Sequence, residues 1–122
     1  MAVFVSNKKA LESAELKGIV DVEKIWGNDI FQKKEGATAS IGRYKFGPGF
    51  VLADWTFTYD EFQYIVKGSE KIETEGKTII AREGDIVHVQ KGTVGTLSSD
   101  EGCELILIIM PDLKTLGFMF ED

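Results

Sequence analysis

The sequence predicts an all-β domain, a sandwich or barrel of short strands, and three observations support this class. Thirteen glycines and only two prolines divide the chain, most densely from Gly36 onward. The segments between the glycines are rich in Val, Ile, Phe, Tyr and Thr, which favour strands. Turn residues recur at a spacing of about 8–12 residues, which is typical of sandwiches and barrels.

Length and composition predict one globular domain. A chain of 122 residues is long enough for a single core, and 43% hydrophobic with 28% charged residues argues against disorder. No apolar run approaches the roughly 20 residues that a membrane span requires. Residues 1–9 lack the charged-then-apolar order of a signal peptide, so we expect a cytoplasmic protein without a membrane partner.

Charge and residue counts exclude several classes of function. The formal net charge is −6 and no basic stripe is present, which argues against a nucleic-acid partner. Cys103 is the only cysteine, so the chain has no internal disulfide and no cysteine pair for a metal. His88 is the only histidine, which excludes a multi-histidine metal site. The remaining partners are small molecules and other proteins.

The predicted elements are one helix followed by nine strands. Residues Asn7 to Lys17 are good helix formers, with Ser6 as N-cap and Gly18 as the C-terminal stop. We therefore expect an N-terminal strand and helix segment over 1–17 and a barrel domain over 18–122. The Glu75–Gly76 pair predicts a hairpin turn. The predicted strands are Ile19–Ile25, Ala37–Lys45, Phe50–Phe57, Glu61–Lys67, Lys71–Thr74, Lys77–Ala81, Ile86–Gln90, Thr93–Ser98 and Glu104–Met110.

Alternation of side chains predicts which face of a strand is buried. Within 61–67, alternation alone favours the aromatic face with Phe62 and Tyr64 as the buried one. The opposite orientation lines a pocket with Glu61 and Gln63 instead. Within 50–59, one face is apolar throughout and is predicted to point inward: Val51, Ala53, Trp55, Phe57 and Tyr59.

The stretch from Gly49 to Ser99 resembles the two signature motifs of the cupin superfamily. The 15 residues between Gly68 and Gly84 also suit the hairpin that usually separates the motifs. The resemblance implies a single-domain cupin β-barrel, or jelly roll, with a short N-terminal helix. The spacing of the first motif is reproduced by Gly49, Trp55, Phe57, Glu61 and Gly68, and that of the second by Gly84, Gln90, Gly92, Gly95 and Ser99.

The resemblance also bears on the metal. Metal cupins bind their ion through three histidines and one glutamate at these positions, where this chain has Trp55, Phe57, Glu61 and Gly95. Trp, Phe and Gly offer no side-chain lone pair to a metal. We therefore expect no metal and no other cofactor.

Within the superfamily, the string WTFTYDEFQYIVKGSEKI is most similar to the cupin domain of ethanolamine-utilisation proteins of the EutQ type. Acetate-kinase activity is attributed to that family, although this sequence contains no glycine-rich phosphate-binding loop. The motif glutamate of cupins faces the barrel mouth. The resemblance therefore reverses the orientation that alternation favours and implies that Glu61, Gln63 and Ile65 point inward.

Candidate site residues follow from that orientation. Glu61 is the first catalytic candidate, because desolvation in an aromatic barrel raises the pKa of a carboxyl group. His88 is the second, because imidazole transfers protons near neutral pH, although hydrophobicity alone places His88 outside. Cys103 is expected to be a buried, inert thiol. The candidate ligand-binding residues are Trp55, Phe57, Gln63, Tyr44, Tyr59 and Tyr64.

These observations predict a metal-independent cupin that binds a small polar metabolite in its barrel, with Glu61 as acid or base. The alternative is a non-catalytic module, such as a sensor, an accessory subunit or a dimeric scaffold. A ligand-sized, partly polar cavity distinguishes the first from a filled scaffold. We also expect a homodimer, in which a short apolar strand at Val3–Val5 caps the sheet of a partner.

Overall fold

The computed structural model describes residues 3–31 and 38–110, which form one short helix and nine strands. Every strand pairing among them is antiparallel. The elements are α1 Lys8–Ser13, β1 Lys17–Ile19, β2 Val22–Phe31, β3 Ser40–Phe46, β4 Phe50–Thr56, β5 Asp60–Thr74, β6 Lys77–Arg82, β7 Ile86–Val89, β8 Val94–Ser99 and β9 Cys103–Met110.

Two sheets share the long strand β5 and curl around one interior. The first sheet has the strand order β1-β2-β3-β9-β5-β7, and the second has the order β4-β8-β5-β6. The N-terminal half of β5 pairs with β7 and β9, whereas its C-terminal half pairs with β6 and β8. This arrangement confirms the predicted all-β architecture with a short N-terminal helix.

Side chains from both sheets fill the interior. Phe46 of the first sheet stacks on Phe50 of the second, with ring centroids 4.3 Å apart. Burying a side chain of this size stabilises the fold by about 1.5–3 kcal/mol. The buried hydrophobic residues are Ile19, Tyr44, Phe46, Phe50, Phe57, Tyr59, Ile65, Ile72, Ala81, Val89, Leu97, Cys103, Leu105, Leu107 and Ile109.

A bulge in β4 changes the face that points inward. The pairing of β4 with β8 shifts between Leu52 and Trp55, and Asp54 adopts a φ of 49° within the shift. Phe50 therefore points inward before the bulge, and Trp55 packs against the core after it. The prediction that Val51 and Ala53 share the inward face with Trp55 is wrong, because both side chains are exposed.

A second bulge divides β5, which is one continuous strand although the sequence predicts two. Glu61, Gln63 and Ile65 are buried, which confirms the orientation that the cupin resemblance implies. The register with β9 then shifts between Ile65 and Lys67, and Gly68 has a φ of 80°. A bulge adds one residue to the strand, so Glu70 points inward beyond it.

The N-terminal segment differs from the prediction. The helix is shorter than Asn7–Lys17, and its N-cap is Asn7 rather than Ser6, because Asn7 Oδ1 accepts a hydrogen bond from the Ala10 N–H at 2.9 Å. Gly18 lies within β1 and does not end the helix. The expected strand at Val3–Val5 is not found, and these side chains are exposed.

Two further strand predictions have different outcomes. The predicted strand Ile19–Ile25 is interrupted by a turn, in which Asp21 has a φ of 64°. The hairpin at Glu75–Gly76 is confirmed, since both residues have positive φ and the flanking Thr74 and Lys77 pair. The beginning of the strand predicted from Ala37 lies outside the described residues.

Within the described residues, no helix is long and apolar enough to cross a membrane.

Candidate functional site

A cavity of about 60 Å³ lies between the two sheets and gathers most of the candidate residues. Strands β1 to β5, β8 and β9 contribute to its wall, together with the segment between β4 and β5. Most of the wall is aliphatic or phenylalanine side chain. The aromatic and polar candidates that line it are Tyr44, Trp55, Phe57, Tyr59 and Glu61.

The aromatic wall depends on the bulge in β4. After the bulge, Trp55 and Phe57 turn toward the cavity. The indole Nε1 of Trp55 donates a hydrogen bond to the hydroxyl of Tyr59 at 3.3 Å. The rings of Phe57 and Tyr59 meet edge to face, with centroids 5.9 Å apart. These contacts hold three aromatic side chains in one orientation beside the cavity.

Tyr44 reaches the cavity because neighbouring positions lack side chains. Its ring packs over Gly27, its cross-strand partner on β2, and over Gly42 on its own strand. A Cβ atom at either glycine would overlap the Tyr44 ring. The two glycines therefore make room for a buried phenol at this point of the barrel.

Glu61 is the polar centre of the site. Its side chain is 4% exposed, and its Oε2 accepts a hydrogen bond from Nε2 of Gln63 at 2.6 Å. The same amide nitrogen lies 3.4 Å from Oε1 of Glu70, which is 1% exposed. Gln63 therefore bridges two buried carboxyl groups, and it does so from behind the cavity wall.

Burial determines the charge of these carboxyl groups. Desolvation raises the pKa of Glu61 to about 7, and the hydrogen bond from Gln63 opposes this rise. Desolvation and the nearby Glu61 raise the pKa of Glu70 to about 8. Both groups thus exchange protons near neutral pH. Burial also raises the pKa values of Tyr44 and Tyr59, so both remain neutral phenols.

Sequence reasoning does not identify Glu70. Residues 68–70 lie between two predicted strands, where a carboxylate is ordinarily exposed. The signal in the sequence is Gly68, because an isolated glycine within a strand pattern indicates a bulge. A bulge reverses the alternation and turns Glu70 toward Gln63.

The structure does not bring His88 and Tyr64 to the cavity. Both lie on the outer face of the sheet, opposite Glu61, and Tyr64 is 47% exposed. His88 stacks on Phe62, with ring centroids 4.4 Å apart, and its Nε2 lies 3.5 Å from Oδ1 of Asp60. The structure therefore corrects their assignment as site residues. Tyr64 is adjacent to the inward-facing Gln63, and His88 is adjacent to Val89, the cross-strand partner of Glu61. Adjacent residues of a strand face opposite sides.

Cys103 is buried, as expected. Desolvation, followed by the neighbouring carboxylates of Glu70, Glu101 and Glu104, raises its pKa to about 12. The thiolate is the nucleophilic form of cysteine. Cys103 therefore remains an inert thiol.

The residues at the cupin metal positions do not fit a metal ion. Glu61 is the only one of the four with a donor atom, and its Oε2 already accepts from Gln63. In the part of the chain that the structure describes, no three His, Cys, Asp or Glu side chains are grouped to hold a metal. Divalent ions bind poorly to one carboxylate alone.

Comparison with known proteins relates the chain to one family. The family described as "Ethanolamine utilisation protein EutQ" matches residues 1–113. A relative from Escherichia coli strain K12, named "Acetate kinase EutQ", is 31% identical over 74 residues, which cover 58% of this chain and 31% of that protein. The chain thus spans less than a third of the length of this curated relative.

Solved structures share the fold. A putative ethanolamine-utilisation protein EutQ from Salmonella typhimurium LT2 has a TM-score of 0.68 and 22% identity, with 78% of each chain covered. A cupin superfamily protein from Desulfitobacterium hafniense DCB-2 has a TM-score of 0.63 and 14% identity, covering 76% of this chain and 83% of that one. The barrel is a cupin, and the chain belongs to the EutQ family.

Proposed function

We propose that this chain is a metal-independent cupin that binds a small polar molecule between its two sheets, as part of ethanolamine utilisation. The observation that carries the proposal is a cavity of about 60 Å³ whose apolar wall contains the carboxyl group of Glu61. Ligand sites are typically apolar with a few placed polar groups that fix orientation. Glu61 supplies that group here.

The size of the cavity limits the ligand. A volume of 60 Å³ has room for about four non-hydrogen atoms, each occupying roughly the space of one water. A nucleotide is far larger. The acetate-kinase name of the relatives therefore does not enter the proposal for this cavity, although a molecule as small as acetate fits by size.

Glu61 is suited to acid–base work as well as to binding. A group whose pKa lies near the working pH both gives and takes a proton efficiently, and burial brings the pKa of Glu61 to about 7. In the catalytic form of the proposal, Glu61 transfers a proton to or from the bound molecule. In the non-catalytic alternative, Glu61 only binds, and the chain acts as a sensor or accessory subunit.

Metal independence is part of the proposal and rests on the donor set. Purified protein is expected to contain no stoichiometric Zn, Mn, Fe, Ni or Cu by elemental analysis, because three of the four cupin metal positions carry Trp55, Phe57 and Gly95. One metal per chain that disappears in Glu61→Ala would contradict this.

We further propose a cytoplasmic homodimer. The outer face of the first sheet exposes apolar side chains on three neighbouring strands: Tyr64, Val66, Ile86 and Met110. Exposed apolar area of this kind is typical of interaction surfaces. This apolar face and the cavity lie on opposite sides of the sheet. The chain can therefore form a dimeric scaffold and bind a ligand at the same time.

The binding proposal is tested with the small molecules that the family and relative names contain, ethanolamine and acetate. In the Trp26→Phe variant, Trp55 is the only remaining tryptophan, so its fluorescence reports the cavity. At least one of the two molecules is expected to change this fluorescence saturably. Glu61→Gln is expected to weaken that response, and Glu73→Gln, an exposed carboxyl on the same strand, is expected to leave it unchanged. No saturable response to either molecule would contradict the proposal.

A further inference from the structure

Among the described residues, the side chains that line the cavity include acidic groups and no basic one. Of the described residues that line the cavity, the ionisable ones are Glu61, Tyr44 and Tyr59, and none is Lys, Arg or His. Besides burial, Asp29 and Glu61 raise the pKa of Tyr44, and Glu61 raises the pKa of Tyr59, so these carboxylates give the site a negative potential. A negative potential disfavours an anionic ligand and favours a cation.

The aromatic rings favour the same sign of charge. Trp55, Phe57, Tyr44 and Tyr59 all line the cavity. The face of an aromatic ring is the negative end of its quadrupole, so it attracts a cation within about 6 Å, most strongly where water is excluded. A neutral ligand gains less from this field, and a ring face repels an anion.

The polar cluster behind the wall holds more acceptors than donors. Gln63 directs its amide nitrogen toward both carboxyl groups. Among the described residues, its own Oε1 and the Oε2 of Glu70 are buried without a partner. Protons on the carboxyl groups complement this cluster behind the wall. At the cavity itself, Glu61 offers an acceptor to an ammonium group, which has three donors and no acceptor.

We infer that the ligand of this cavity is a small protonated primary amine, with its ammonium group against Glu61 and its carbon chain among the aromatic rings. This inference rests on the proposed function, because it names the ligand class of the same cavity. The available volume admits an amine of about two or three carbons.

Such binding is linked to protons. An ammonium group favours the carboxylate form of Glu61, so binding releases a proton whenever Glu61 is partly protonated. The affinity for the amine therefore rises between about pH 6 and pH 8, where a primary amine stays charged. Glu70, behind Gln63, ionises in the same pH range, and its negative charge also increases the affinity for the amine as the pH rises. Tyr44, with Asp29 beyond it, and Tyr59 remain neutral and contribute only ring faces and hydroxyls.

The test compares three probes with four non-hydrogen atoms each: n-propylammonium, 1-propanol and acetate. Ligands this small bind weakly, so binding is followed by NMR chemical shifts of residues around the cavity at millimolar concentrations. The amine is expected to bind about tenfold more tightly than either other probe. Glu61→Gln is expected to remove that preference, and Glu73→Gln, with its exposed carboxyl, is expected to keep it.

The outcomes separate this inference from the proposed function. If acetate or 1-propanol binds at the cavity as tightly as the amine, the cation inference is wrong and the binding proposal stands. If no probe binds there, both are wrong. Calorimetry of wild-type protein in two buffers of different ionisation enthalpy gives a test that needs no variant. Proton release on amine binding at neutral pH supports the inference, and its absence overturns it.

Discussion

At the scale of single residues, Glu61 and Glu70 make the stability of the fold depend on pH. Each has a higher pKa in the folded chain than the ordinary glutamate value of 4.5, because burial disfavours the charged form. The folded state therefore binds more protons than the unfolded state above that value. The free energy of unfolding falls as the pH rises from about 4.5 through 7 and 8.

Glu70→Gln is expected to flatten this dependence. Glutamine keeps the shape of the side chain and a hydrogen bond to Gln63, but it has no charge to desolvate. At high pH the variant is more stable than wild type. The gain in the free energy of unfolding is about 1.4 kcal/mol for each unit by which burial raises the pKa of Glu70. Chemical denaturation from pH 5 to about pH 8.5 measures this difference. Parallel profiles for Glu70→Gln, wild type and the exposed control Glu73→Gln would contradict the assignment.

At the scale of elements, two bulges explain which strand faces the sequence predicts correctly and which it does not. The cupin resemblance correctly predicts that Glu61, Gln63 and Ile65 point inward, whereas alternation alone favours the opposite face of β5. Beyond Gly68, alternation assigns the wrong residues to the inward face, because the bulge adds one residue to the strand. The bulge before Trp55 has the same effect in β4. Periodicity assumes a regular strand, so it cannot show where a bulge begins. For that reason alternation does not predict an inward-facing Glu70.

The bulge at Gly68 is tested against another glycine with the same backbone. Gly68 and Gly76 both have positive φ, at 80° and 73°. A Cβ atom at Gly68 would overlap the carbonyl oxygen of Gly102, whereas one at Gly76 meets nothing within 4 Å. Gly76→Ala is expected to lose about 1 kcal/mol from backbone strain. Gly68→Ala is expected to lose roughly 1–3 kcal/mol more from overlap. Equal losses in thermal or chemical unfolding would show that the close approach at Gly68 does not matter.

At the scale of the whole molecule, the outer face predicts self-association. Tyr64, Val66, Ile86 and Met110 expose apolar surface, and Ile86 is 76% exposed. Light scattering at tens of micromolar is expected to give the mass of a dimer. Ile86→Glu places a charge on this face and is expected to shift the chain toward monomer, without changing ligand binding on the other side of the sheet. A monomeric wild-type chain would contradict the dimer.

The N-terminal part of this prediction is tested separately. Val3 and Val5 are exposed and do not belong to a strand, so any contribution to the dimer comes from apolar contact rather than from sheet pairing. Deletion of residues 1–6 is expected to weaken the dimer. A deletion variant that dimerises as tightly as wild type would remove the N-terminal segment from the interface.

The central claim is that Glu61 is a buried carboxyl group that faces a cavity for a cationic ligand. An NMR titration of the Glu61 carboxyl group tests this claim most directly. The side-chain carboxyl carbon of Glu61 is expected to titrate with a midpoint near 7 in the free protein, which is the pKa that burial gives this group. Saturating n-propylammonium is expected to move that midpoint downward, because the ammonium group stabilises the carboxylate. A Glu61 that titrates like a free glutamate, or whose midpoint does not move when the amine is added, would contradict the account.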